Sequence, residues 1–303
     1  MDSDRHASYL DVTKEGDSLV RRGDFRRAID NFERAVVLAK DLDDQSLLVK
    51  ALCNLSSARL AAGDIREAEQ GLREILMRTR DAGTIFAASS TLASALRRQG
   101  RLDRALLYAK KALRACEGLD NVAWLASCHN LIANLHLSKS CLDEAVAEYR
   151  YALTLYEKEG LGTEHPVEVI KENLGYCLLL KKRYRQGIAI ILEALQISLS
   201  NGNTRCLAEC HQDLSFAYMQ LKEYERAREH GEKAYELAVA QEYTDLHKNC
   251  CYLLGEIHLM LEDEERSDYY FDRLQAFFPN VPVLKEFLRT FDVSSIINFK
   301  TPV

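Results

Sequence analysis

The chain has 303 residues, a formal net charge of −6, and 47% apolar and 28% charged side chains. This acidic balance argues against a general binder of nucleic acid or of anionic membrane. No run of 18 apolar residues occurs, so no helix is expected to span a bilayer.

Nine cysteines, odd in number and without a CxxC pair, read as reduced packing residues, Cys53, Cys128, Cys177 and Cys251 among them. The opening stretch Met1 to His6 is polar and lacks the apolar run of a signal peptide, so a cytoplasmic protein is expected. Only four prolines occur, three of them from Pro279 onward, which leaves long helices uninterrupted.

One pattern recurs about every 40 residues. A turn residue and one further residue precede a bulky apolar position, two polar positions and a small one. Its copies start at Gly23, Gly63, Gly100, Ser140, Lys182, Lys222 and Glu262. The small residues are Ala28, Ala68, Ala105, Ala145, Gly187, Ala227 and Ser267. Seven residues on, two helical turns away, lies a second column: Ala35, Ile75, Ala112, Ala152, Ala194, Ala234 and Leu274. Twelve residues before the first column a third one, Gly16, Ser56, Ala93, Ala133, Gly175, Ser215 and Gly255, belongs to the preceding helix. A fixed period of this length means stacked helical hairpins.

The expected helix pairs are, in chain order, 5–22 with 25–41, 44–62 with 65–80, 84–99 with 102–116, and 120–138 with 142–158. They continue with 165–181 and 184–200, 204–221 and 224–240, and 244–261 and 264–276. The longest break, 157–166, holds two glycines and Pro166 and reads as a long connector or a bend. After Pro279, Leu284, Phe287, Leu288 and Phe291 share one face of a short amphipathic helix, expected to cap the last hairpin. The apolar stretch 293–299 that follows has three open readings: packing on the cap, folding back into the groove, or binding another chain.

This pattern resembles the tetratricopeptide repeat over residues 5–279, and its period is similar to that of the long-helix subgroup. The resemblance implies an all-α, right-handed superhelical α-solenoid of about seven hairpins, near 5–41, 44–80, 84–116, 120–158, 165–200, 204–240 and 244–279. Residues 280–303 would form the capping helix and tail. It also implies a protein–protein interaction scaffold that binds a peptide or helix in its concave groove, lined by the first helix of each pair. An alternative is a peptide-responsive switch whose superhelix closes on a small ligand.

Helical phase nominates Lys50, Asn54, Arg97, Asn130, Asn134, Asn173, Tyr176, Glu209, Gln212, Asp213, Phe216, Asn249 and Tyr252 as groove residues. The groove is expected to be cationic early and anionic with aromatics late. Asn130, Asn134 and Asn173 offer an amide ladder that can pair with peptide backbone. Tyr176, Phe216 and Tyr252 offer flat apolar anchors. The family's carboxylate-clamp subtype places cations where this chain has Asn130, Glu209 and Asp213, so a carboxylate ligand is disfavoured. The expected partner is another protein or peptide with basic or amine groups near repeats five and six.

Sites for chemistry are weak. His129 with His136, and Cys206 with Cys210 and His211, lack a metal-ligand set. No Gly-rich phosphate loop, His-Glu-x-x-His or GxSxG occurs. No cofactor and no catalysis are expected. The basic stretch from Arg97 to Arg114 reads as a solvated or anion-facing helix.

Overall fold

The structure, a computed structural model, describes residues 2–21, 24–119, 121–158, 167–281 and 283–290, with the backbone alone at 2–4 and 21. The described residues form fifteen helices and no strand. They are α1 (Asp2–Arg21), α2 (Phe25–Asp41), α3 (Gln45–Ala62), α4 (Ile65–Arg78), α5 (Ala82–Arg98), α6 (Leu102–Cys116), α7 (Val122–Ser138) and α8 (Leu142–Lys158). There follow α9 (Val167–Leu180), α10 (Tyr184–Asn201), α11 (Thr204–Gln220), α12 (Tyr224–Ala240), α13 (Thr244–Met260), α14 (Glu264–Phe277) and α15 (Leu284–Thr290). Most of the connector 157–166, and the stretch 293–299, lie outside the described residues.

The chain divides into two compact units, Met1–Leu135 and His136–Val303. In the first, α1 through α6 pack each on the next, and α3 also meets α5. In the second, α8 through α14 do the same, α9 touches α11, α11 touches α13, and α15 rests on α14. Each unit is a nearest-neighbour stack of helical hairpins.

The turn inside each hairpin explains where helices stop. Gly63, Gly100, Ser140, Lys182, Lys222 and Glu262 occupy one repeat position, and all have φ between 58° and 88°. In the Ser140, Lys182, Lys222 and Glu262 turns this left-handed residue sends the next amide back to the helix. Cys141 N donates to His136 O (2.9 Å), Arg183 N to Leu178 O (2.8 Å), Glu223 N to Tyr218 O (2.9 Å) and Asp263 N to His258 O (2.9 Å). This closes the helix with a Schellman-type cap. The next helix starts two residues later, at the bulky position expected from the sequence. Side-chain caps help: Asp44 Oδ1 accepts from Leu47 N (3.0 Å), Asp81 Oδ2 from Thr84 N (2.7 Å) and Asn203 Oδ1 from Cys206 N (3.2 Å).

Packing depends on the small columns. Ala28, Ala68, Ala105, Ala145 and Ala227 are fully buried, as are Ala35, Ile75, Ala112, Ala152, Ala194 and Ala234. At the α9–α10 crossing glycine faces glycine. A Cβ added at Gly187 would lie 2.9 Å from the Gly175 carbonyl oxygen, and one at Gly175 would lie 3.1 Å from that of Gly187. Where serine replaces the small residue, it bonds across the same gap. Ser215 Oγ donates to Ala227 O (2.8 Å), and Ser267 Oγ to Gly255 O (2.9 Å).

Two stability predictions follow from these contacts. Lys222→Gly should raise the unfolding free energy by about 0.5–1 kcal/mol, and Gly100→Lys should lower it by about 1 kcal/mol, because only glycine adopts positive φ without steric cost. Gly187→Val should lower it by about 1–3 kcal/mol or more through overpacking against backbone that has little room to yield. Urea titrations followed by circular dichroism test both; unchanged midpoints would contradict the turn and crossing assignments.

Candidate functional site

In the second unit α11 touches both α9 and α13. On α11, His211 and Ser215 point to α12, since they meet His230 and the Ala227 carbonyl. Glu209, Asp213 and Phe216 lie roughly 100–160° further round the axis. Counting 40 residues either way aligns Glu209 with Val169 on α9 and Asn249 on α13, Gln212 with Glu172 and Tyr252, Asp213 with Asn173 and Leu253, and Phe216 with Tyr176 and Glu256. Carboxylate, amide and aromatic side chains therefore recur on three successive helices.

This face differs from the open groove expected from the sequence. Tyr176 and Asp213 have no exposed surface, and Gln212, Phe216 and Tyr252 are buried as well. Helical phase shows which way a side chain points but not whether water reaches it. Asn173 is buried too, and its Nδ2 donates to Val169 O of its own helix at 3.0 Å, so this rung turns inward instead of reaching out. Glu209 is half-buried and accepts from Arg205 Nε at 3.1 Å. Asn249 is also half-buried.

In the first unit the nominated residues are more open. Lys50 is exposed, and Asn54, Arg97, Asn130 and Asn134 are half-buried. The structure adds a cleft of about 730 Å³ on α4, lined by Arg66, Glu69, Gln70, Arg73, Glu74, Met77 and Arg78 with Arg101. Sequence reasoning did not single out these residues. The Glu69–Arg73 and Glu74–Arg78 spacing, four residues apart, was its only signal. Arg101 Nη1 bonds Glu69 Oε2 at 2.6 Å, Arg78 Nε bonds Glu74 Oε1 at 2.9 Å, and Arg73 also pairs with Glu69. Acids on the same surface thus offset its cations.

The cysteines are suited to packing. Burial pushes the Cys116, Cys128 and Cys250 thiols up, and Cys251 up to about 12, which keeps them protonated. Among the described residues no group of three or more His, Cys, Asp or Glu is placed to hold a metal ion. No described helix is long and apolar enough to cross a membrane.

Family comparison matches the tetratricopeptide repeat over residues 13–70, 87–119 and 166–240, together more than half of the chain. The chain is a tetratricopeptide repeat protein. It is 22% identical over 229 residues to the 43 kDa receptor-associated protein of the synapse from Tetronarce californica, covering 73% of this chain and 55% of that protein. The chain thus spans about half the length of this curated relative. Its fold is similar to that of the apo form of RapI, with a TM-score of 0.74 at 13% identity over 90% of this chain and 98% of that one. It is also similar to a tetratricopeptide repeat protein from Parabacteroides merdae ATCC 43184, with a TM-score of 0.64 at 16% identity over 96% and 100%. A Rap protein complexed with competence and sporulation factor gives 0.63 at 13% identity over 91% and 76%. The tetratricopeptide architecture is that of a protein-interaction scaffold, typically without catalytic activity.

A histidine pair lies between α11 and α12 of this repeat protein. The Nδ1 atoms of His211 and His230 are 2.9 Å apart, and His230 stacks on Tyr218. Burial first, then neighbouring positive charge including Lys233, moves both down to about 4. Between pH 6.5 and 4 the unfolded chain therefore binds more protons than the folded one, and stability falls as pH drops through that window. Thermal melts at pH 7 and pH 5 should show a loss to which this pair contributes on the order of 1 kcal/mol. His230→Phe should flatten the dependence, and an unaltered slope would remove the pair from the account.

Proposed function

We propose that this protein holds a peptide or helix of a partner protein along the inner face of its first helices, with a basic or amine group of the ligand against the acidic part in the second unit. The observation that carries this is that the adjoining repeat positions 172/212/252, 173/213/253 and 176/216/256 give each of α9, α11 and α13 a carboxylate and an aromatic residue, Glu172 and Tyr176, Asp213 and Phe216, and Glu256 and Tyr252. These positions are not used by the small-residue columns that hold the hairpins together. Aromatics there supply apolar contact area at low entropic cost, and carboxylates select the sign of the ligand. In the first unit the corresponding face carries Lys50, Asn54, Arg97, Asn130 and Asn134, suited to main-chain and acidic groups. The partner chemistry that the second unit favours is therefore a segment with a basic group flanked by apolar residues.

Fluorescence polarisation with two labelled peptide sets, one with Lys or Arg between apolar residues and one with Asp or Glu in their place, tests this. The basic set should bind at least tenfold more tightly. Glu209→Lys with Glu256→Gln should reduce that preference about tenfold while the helical circular-dichroism signal persists. Equal binding of the two sets would overturn the reading.

A further inference from the structure

The second helices of the first unit carry a charge pattern that the inner face does not explain. Residues 65–116, from the start of α4 to the end of α6, hold eleven Arg or Lys and five Asp or Glu, a local balance of +6 in a chain of −6. The core side of α4 is Ala68, Leu72 and Ile75, and that of α6 is Ala105, Ala109 and Ala112. Away from the core α4 presents Arg66, Gln70, Arg73 and Met77 as one stripe at three- and four-residue spacing. On α6 the corresponding stripe is Arg104, Leu107, Lys111 and Arg114. Both helices pack on α5, and Arg101, the residue before α6, donates to Glu69 of α4 at 2.6 Å, so the two stripes lie side by side.

Local acids do not balance these cations. In the cleft on α4 four arginines meet two carboxylates: Arg73 and Arg101 share Glu69, and Arg78 takes Glu74. Arg66, Arg104, Lys111 and Arg114 are exposed and form no ion pair among the described residues. Arg73 Nε is buried without an acceptor, and a buried donor left unmet is costly. Met77 and Leu107, 81% and 66% exposed, are the two most exposed large apolar side chains among the described residues, and both sit within these stripes.

We infer that the α4–α6 side of the first unit docks a partner protein through an acidic segment in which Asp or Glu are interleaved with apolar residues. Guanidinium groups pair with carboxylates through two parallel hydrogen bonds, and a flexible methionine fits apolar side chains of varied shape. Nucleic acid fits less well. Glu69 and Glu74 in the cleft repel a continuous row of phosphates, and Met77 and Leu107 gain nothing from a phosphate backbone. This surface lies on second helices and does not depend on the reading of the inner face. Its charges are solvated, so it binds more weakly than the inner face binds its basic ligand, and the binding falls as salt rises.

The test uses the full chain and a labelled helical peptide of interleaved Glu and Leu, followed by fluorescence polarisation at about 50 mM and about 300 mM salt. The parent should bind at low salt and lose at least fivefold in affinity at high salt; no binding at low salt would overturn the inference. Arg66→Glu with Lys111→Glu should weaken binding at least tenfold while the helical circular-dichroism signal persists. No loss in this variant would place the peptide elsewhere and overturn the site. Arg185→Glu with Lys233→Glu makes the same change of net charge on the second unit and should leave affinity within twofold. An equal loss there would reduce the effect to overall charge and overturn the site as well. Met77→Gln with Leu107→Gln should weaken the peptide at least threefold. A DNA duplex bound as tightly as the peptide, and weakened equally by Arg66→Glu with Lys111→Glu, would overturn the protein segment in favour of nucleic acid. Failure of the basic peptide set at the inner face would leave these outcomes standing, because the probe and the variants differ.

Discussion

Helix backbones in this protein pass one another with almost nothing between them, and that contact governs the rest. At the α9–α10 crossing the carbonyls of Gly175 and Gly187 lie where a methyl group would collide. At the later crossings a serine hydroxyl fills the gap and bonds the facing carbonyl. Dispersion falls steeply with separation, so a close crossing gathers more contact per residue than a loose one. It also fixes the phase of each helix. Once the small columns are committed to the crossing, every other position on the helix is assigned to a neighbour, to solvent or to the inner face.

Much of this was legible in the sequence because it depends on local residue type. The second helices begin at Phe25, Ile65, Leu102, Leu142, Tyr184, Tyr224 and Glu264, where the repeat placed its bulky position. At its six described positions the turn column is a single backbone conformation. Lys182, Lys222 and Glu262 take up the left-handed geometry that Gly63 and Gly100 adopt freely. The sequence hides this strain, because nothing in a lysine announces positive φ. Only the alignment of repeats shows that it occupies the glycine's position.

Helical phase carries direction but not burial. Phase arithmetic sets Asp213 and Phe216 apart from Ser215, since one helix carries all three. It could not show that Asp213 would lose all contact with water while Asn134 keeps some, because burial depends on what lies opposite and not on the helix itself. The histidine pair was missed for the same reason. His211 and His230 are 19 residues apart, on two helices of one hairpin, and their meeting depends on how those helices cross. The arginine-lined cleft on α4 shows the opposite case: its charges were plain in the sequence, yet the structure pairs most of them with local carboxylates.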